Sequence, residues 1–76
     1  MSKDTDTTER IFEYIKNRSE ISETTAIRHI HRRFGIVEEE IEEILDKLFD
    51  ENKIRKIYDE EYQENRFETQ SSNQSF

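Results

Sequence analysis

The chain has 76 residues, of which 12 are Lys or Arg and 19 are Asp or Glu, so its formal net charge is −7, while only 30% of its residues are hydrophobic. That length holds one small domain, and no apolar run approaches the ~20 residues that a membrane-crossing helix needs. The absence of Cys excludes a disulfide scaffold, a thiolate zinc site and thiol catalysis.

Met1 to Glu9 is polar and lacks the apolar core of a secretory signal. A flexible N-terminus over residues 1–6 and a cytoplasmic location are expected. Asp6 with Glu9 three residues on resembles a capping box. Ile11, Phe12 and Ile15 follow at helical spacing, so a first helix is expected from Thr7 to Arg18. Ser19 to Ser22 breaks the pattern, and Ile21 is expected to turn inward from a short extended stretch. Ser22 is a good cap residue and marks the expected start of a second helix. Ala26, Ile27, Ile30 and Phe34 form its apolar stripe, and Gly35 stands where a left-handed C-terminal cap is needed.

The third helix has the clearest pattern: Ile41, Ile44, Leu45, Leu48 and Phe49 repeat at three and four residues, and Asn52 is placed to end it. Ile54, Ile57 and Tyr58 have β character, with Tyr62 to Phe67 as the expected hairpin partner. The turn is expected near Asp59-Glu60-Glu61 or Glu64-Asn65. Phe67 and one tyrosine are expected to pack inward. Residues 69–76 are rich in Ser, Gln and Asn and read as a disordered polar tail, which leaves a domain over 7–68. The expected core is Ile11, Ile15, Ile21, Ile27, Ile30, Phe34, Ile41, Ile44, Leu45, Leu48, Ile54 and Phe67.

From Gly35-Ile36 through Asn52-Lys53-Ile54, the turn, the I-x-x-I-L-x-x-L-F helix, the cap and the isoleucine that opens a strand resemble many archaeal and bacterial winged helix-turn-helix domains. The resemblance spans roughly Thr7 to Glu68. It implies an α+β fold of three helices with a small C-terminal hairpin wing, and a setting in a DNA-linked process such as transcription or replication. It rests on apolar positions and caps, so it points to a superfamily. The wing lacks the usual Gly or Pro.

Charge is distributed unevenly. Residues 37–51 carry eight carboxylates and one basic residue, Lys47, whereas the segments before and after are close to neutral. Glu39, Glu42, Glu43, Asp46 and Asp50 fall opposite the apolar stripe of the third helix. In winged-helix families that helix enters the major groove, and DNA carries about one negative charge per 1.7 Å of axis. Such a face would be repelled, so its expected uses are solubility, docking of a basic protein, or mimicry of nucleic-acid charge.

Arg28, Arg32 and Arg33 on the second helix, with Lys53, Arg55 and Lys56 at the first strand, are the candidate DNA contacts. The competing expectation is that some of these cations pair with nearby glutamates. His29 and His31 point to different faces and are poorly placed to share a metal; His31, beside the apolar stripe, is expected to be half-buried. No Gly-rich phosphate loop and no oriented catalytic set is visible. The sequence therefore points to a non-enzymatic interaction module with no cofactor, metal, membrane contact or small-molecule substrate, acting as a monomer or weak homodimer. A protein partner docked on the third helix is the leading expectation. A DNA-binding regulator using the second helix and the wing is the alternative.

Overall fold

The computed structural model describes residues 3–70. Its elements are α1 (Lys3–Glu20), β1 (Thr25–Ala26), α2 (Ile27–Phe34), α3 (Glu38–Asp50), β2 (Ile54–Asp59) and β3 (Glu64–Thr69). The fold is α+β: three helices and one antiparallel sheet of order β1-β3-β2, compatible with a winged helix. The expected tail lies mostly outside the described residues, although β3 continues to Thr69.

Helix α1 starts earlier than Thr7. Asp6 lies inside it and does not cap it; its carboxylate pairs with Arg10 one turn on, at 3.4 Å. The end of α1 corrects two further expectations. Ser22 takes a left-handed φ of 65°. Its N–H donates to the Ser19 carbonyl, and the Glu23 N–H donates to the Arg18 carbonyl. This is a Schellman ending, so Ser22 closes α1 and does not open α2. Ile21, at the reversal, is left outside the core and is 67% exposed.

Left-handed residues end all three helices. Gly35 (φ 70°) donates its N–H to the His31 carbonyl and closes α2. A Cβ at Gly35 would meet no atom within 4 Å, so the demand for glycine comes from the backbone angle alone. Asn52 (φ 62°) forms a second Schellman ending, with Asn52 N–H to Phe49 and Lys53 N–H to Leu48. It releases the chain into β2.

Helix α2 begins at Ile27 because the residues before it are committed to the sheet. Thr25 pairs with Phe67 and Ala26 with Arg66. The hairpin runs in register from Ile54–Thr69 to Asp59–Glu64. Its loop uses Glu60 to Gln63, so Glu64 and Asn65 are strand residues and Tyr62 is a loop residue. The Asp59 carboxylate accepts the Glu61 N–H at 2.9 Å, and Gln63 takes a φ of 54°. An Asx turn and one left-handed residue thus replace the missing Gly and Pro.

The core joins Ile11 and Ile15 of α1, Ile30 of α2, Ile41, Ile44, Leu45 and Leu48 of α3, Ile54 of β2 and Phe67 of β3. Ile27 and Phe34 are only partly buried at its edge, with Phe12, Tyr14 and Ile36. Thr25 and Ala26 are buried where β1 meets β3. Both Tyr58 and Tyr62 are exposed: Tyr58 shares a strand face with buried Ile54 but lies at the loop end of the hairpin, and Tyr62 sits in the loop itself.

Candidate interaction surfaces

Helix α3 turns Ile41, Ile44, Leu45 and Leu48 inward, so its 3.6-residue repeat forces Glu39, Glu42, Glu43, Asp46 and Asp50 outward. All five are exposed. Among the described residues none of them forms an ion pair, and neither do Glu38 and Glu40. The first-turn glutamates Glu38, Glu39 and Glu40 lie at the positive end of the helix dipole, which favours them there. The carboxylates further along have no such compensation.

The six candidate DNA contacts are in a different state. Arg28 grips Glu64 with two parallel hydrogen bonds, Nε to Oε1 at 3.0 Å and Nη2 to Oε2 at 3.1 Å, and its guanidinium lies over the Tyr62 ring. Arg55 meets Glu68, its cross-strand neighbour, at 2.8 Å. Lys53 reaches Glu51 at 3.5 Å and also faces the Phe12 ring. Arg32, Arg33 and Lys56 make no ion pair among the described residues; Arg33 lies over Phe34 and Lys56 over Phe49. Half of the basic patch is thus paired internally; of the cations left over, Arg32 and Arg33 lie on α2 and Lys56 on β2.

The Arg28 fork holds the Glu64 carboxyl below its ordinary range, against the opposing effect of burial. Glu64 also lies 3.7 Å from Arg66, which bonds Asp59 at 3.1 Å and points a second nitrogen at the Thr24 carbonyl. Burial pushes the Asp59 carboxyl up, but the Arg66 hydrogen bond and the Tyr62 and Glu61 N–H groups together pull it below its ordinary range. Arg18 reaches the same Thr24 carbonyl at 2.7 Å and donates to the Thr25 hydroxyl at 2.9 Å. Two arginines therefore tie β1 to α1 and to the hairpin. The sequence carries no local sign of this network, because its members come from four separated segments.

Of the two histidines it is His29, and not His31, that is half-buried. His31 is exposed, with Nδ1 2.7 Å from the Ile36 carbonyl. His29 is half-buried, and its Nδ1 accepts the Ala26 N–H at 3.0 Å at the start of α2. Ala26 offers no side-chain acceptor to cap the helix, so His29 supplies one half of a capping box. Burial lowers the His29 pKa from 6.5, and the positive charges of Arg18, Arg28 and Arg66 lower it further against Glu64.

Protonation is therefore easier in the unfolded chain. The stability that neutral His29 contributes is complete above about pH 6.5 and is lost as pH falls toward its folded pKa. Urea unfolding at about pH 7.5 and about pH 5 is expected to show this loss. The variant His29→Gln, whose amide accepts the same N–H without titrating, is expected to show a smaller one. An equal loss in both proteins would remove His29 as the cause.

Among the described residues no group of three or more His, Cys, Asp or Glu is placed to hold a metal ion, and no helix is long and apolar enough to cross a membrane. No protein-family model matches the chain, and no significant match was found among curated proteins or solved structures.

Proposed function

We propose that the chain is a non-enzymatic interaction module of winged-helix type that docks a basic protein through the exposed face of α3. One contrast supports this reading. Among the described residues the α3 carboxylates form no ion pair, whereas Arg28, Lys53 and Arg55 are already held by carboxylates of the same molecule. A duplex would have to break those pairs while meeting an excess of negative charge, and a basic protein surface would meet neither cost. The winged-helix resemblance supplies the setting, a DNA-linked process such as transcription or replication.

Titration of isotope-labelled protein with random duplex DNA, read by amide NMR at low and physiological salt, tests the alternative. The docking reading expects no saturable shifts. Shifts at Arg32, Arg33, Lys56 and the hairpin that fade with salt would replace it with direct DNA binding. In affinity purification from cells, wild-type bait is expected to retain a basic protein that Glu43→Lys/Asp46→Lys bait loses, while circular dichroism of the variant stays unchanged. Equal retention by both baits would remove α3 as the docking face.

A further inference from the structure

Between α3 and the hairpin lies a groove of about 230 Å³, floored by Ile27, Leu45 and Phe67. Glu42 and Asp46, one helical turn apart, form its α3 rim, and Lys56 forms part of the facing wall. Lys56 could have neutralised that rim. Among the described residues it forms no ion pair with either carboxylate, and its Nζ stands 5.6 Å from the centre of the Phe49 ring. The groove therefore has a small apolar floor beside two carboxylates that form no ion pair among the described residues, and its net charge remains negative with Lys56 counted. It is smaller than the ~300–1,000 Å³ of ordinary ligand pockets, so its scale suits one side chain.

We propose that this groove seats a single arginine or lysine side chain of the docked protein. The methylene stem covers Ile27, Leu45 and Phe67, and the cationic head lies between Glu42 and Asp46. Long basic side chains carry this combination of apolar stem and charged tip. The proposal rests on the α3 docking reading and adds an anchor point to it. Glu39 and Glu43, outside the groove, then act through general attraction, and Glu42 and Asp46 through direct contact.

The test uses a labelled peptide of alternating arginine and alanine, and its counterpart with citrulline in place of arginine. Binding is followed by fluorescence anisotropy, with methyl NMR of Ile27 and Leu45. Two variants of equal charge are compared, Glu42→Gln/Asp46→Asn and Glu39→Gln/Glu43→Gln. All four substitutions are at exposed positions and close to isosteric. The expected result is a loss of at least ~10-fold in the first variant and less than ~3-fold in the second, since direct charged hydrogen bonds outweigh peripheral attraction. The Ile27 and Leu45 methyls are expected to shift with the arginine peptide and not with the citrulline peptide. Equal losses in the two variants without methyl shifts would overturn the groove and leave the docking face standing. No binding of the arginine peptide to the wild-type protein at low salt would overturn both.

Discussion

Ile30→Ala is expected to unfold most of the population or bring it close to unfolding. Ile30 is fully buried and is the only buried side chain of α2. That helix has eight residues, too few to persist without tertiary support. Truncating a buried isoleucine to alanine costs about 2–5 kcal/mol, and a domain this small rarely has more than about 3–5 kcal/mol in hand. The damage would extend beyond the cavity, because α2 also carries Arg28, whose grip on Glu64 connects the helix to the hairpin. Urea unfolding followed by circular dichroism gives the measurement, and Ile30→Val, expected to cost only about 0.5–1.5 kcal/mol, gives the scale. An Ile30→Ala protein with a wild-type midpoint would show that α2 is held by its edge residues Ile27 and Phe34.

The parts of the fold that could be read in the sequence are those with local causes. Helix α3 announces itself because four of its buried side chains recur at helical spacing within eight residues. Gly35 and Asn52 end helices for the backbone reason that makes them good C-terminal residues. Ser22 misled because serine serves at either end of a helix, and only the hydrogen bonds to Ser19 and Arg18 show which end it occupies. Strand β1 was invisible because two residues carry no period; it exists only through Phe67 and Arg66, about forty positions away. With β1 in place, α2 must begin after it, and Ile21 is left outside.

The same division holds for the surfaces. The exposure of Glu39, Glu42, Glu43, Asp46 and Asp50 follows from the helical repeat and was legible in advance. Which cations were already occupied was not, because Arg28 and Glu64 lie 36 positions apart and meet only when the hairpin folds over α2. The charge asymmetry of the folded protein is therefore sharper than the sequence count suggests. Arg28, Lys53 and Arg55 are engaged in internal ties, and among the described residues the α3 carboxylates are not.

Those ties can be tested at Arg18. Thr25 is fully buried, and its hydroxyl accepts from Arg18 Nε; Arg18 Nη2 satisfies the neighbouring Thr24 carbonyl. Arg18→Met keeps much of the aliphatic stem and removes both donors, leaving a buried hydroxyl without this partner. A loss of about 1–3 kcal/mol is expected. Thr25→Val leaves the arginine short of one partner, but its guanidinium is partly exposed and water can replace the bond, so a smaller loss of about 1 kcal/mol is expected. In the double variant neither polar group remains stranded. Its loss should fall short of the sum of the two single losses by at least ~0.5 kcal/mol, as for residues in direct contact. Amide exchange at Thr25 and Ala26 should quicken in Arg18→Met before exchange in α3 does, because the bond pins β1 rather than the core. Strict additivity, with unchanged exchange at β1, would mean that pairing with β3 alone holds the strand and that the arginine is incidental to it.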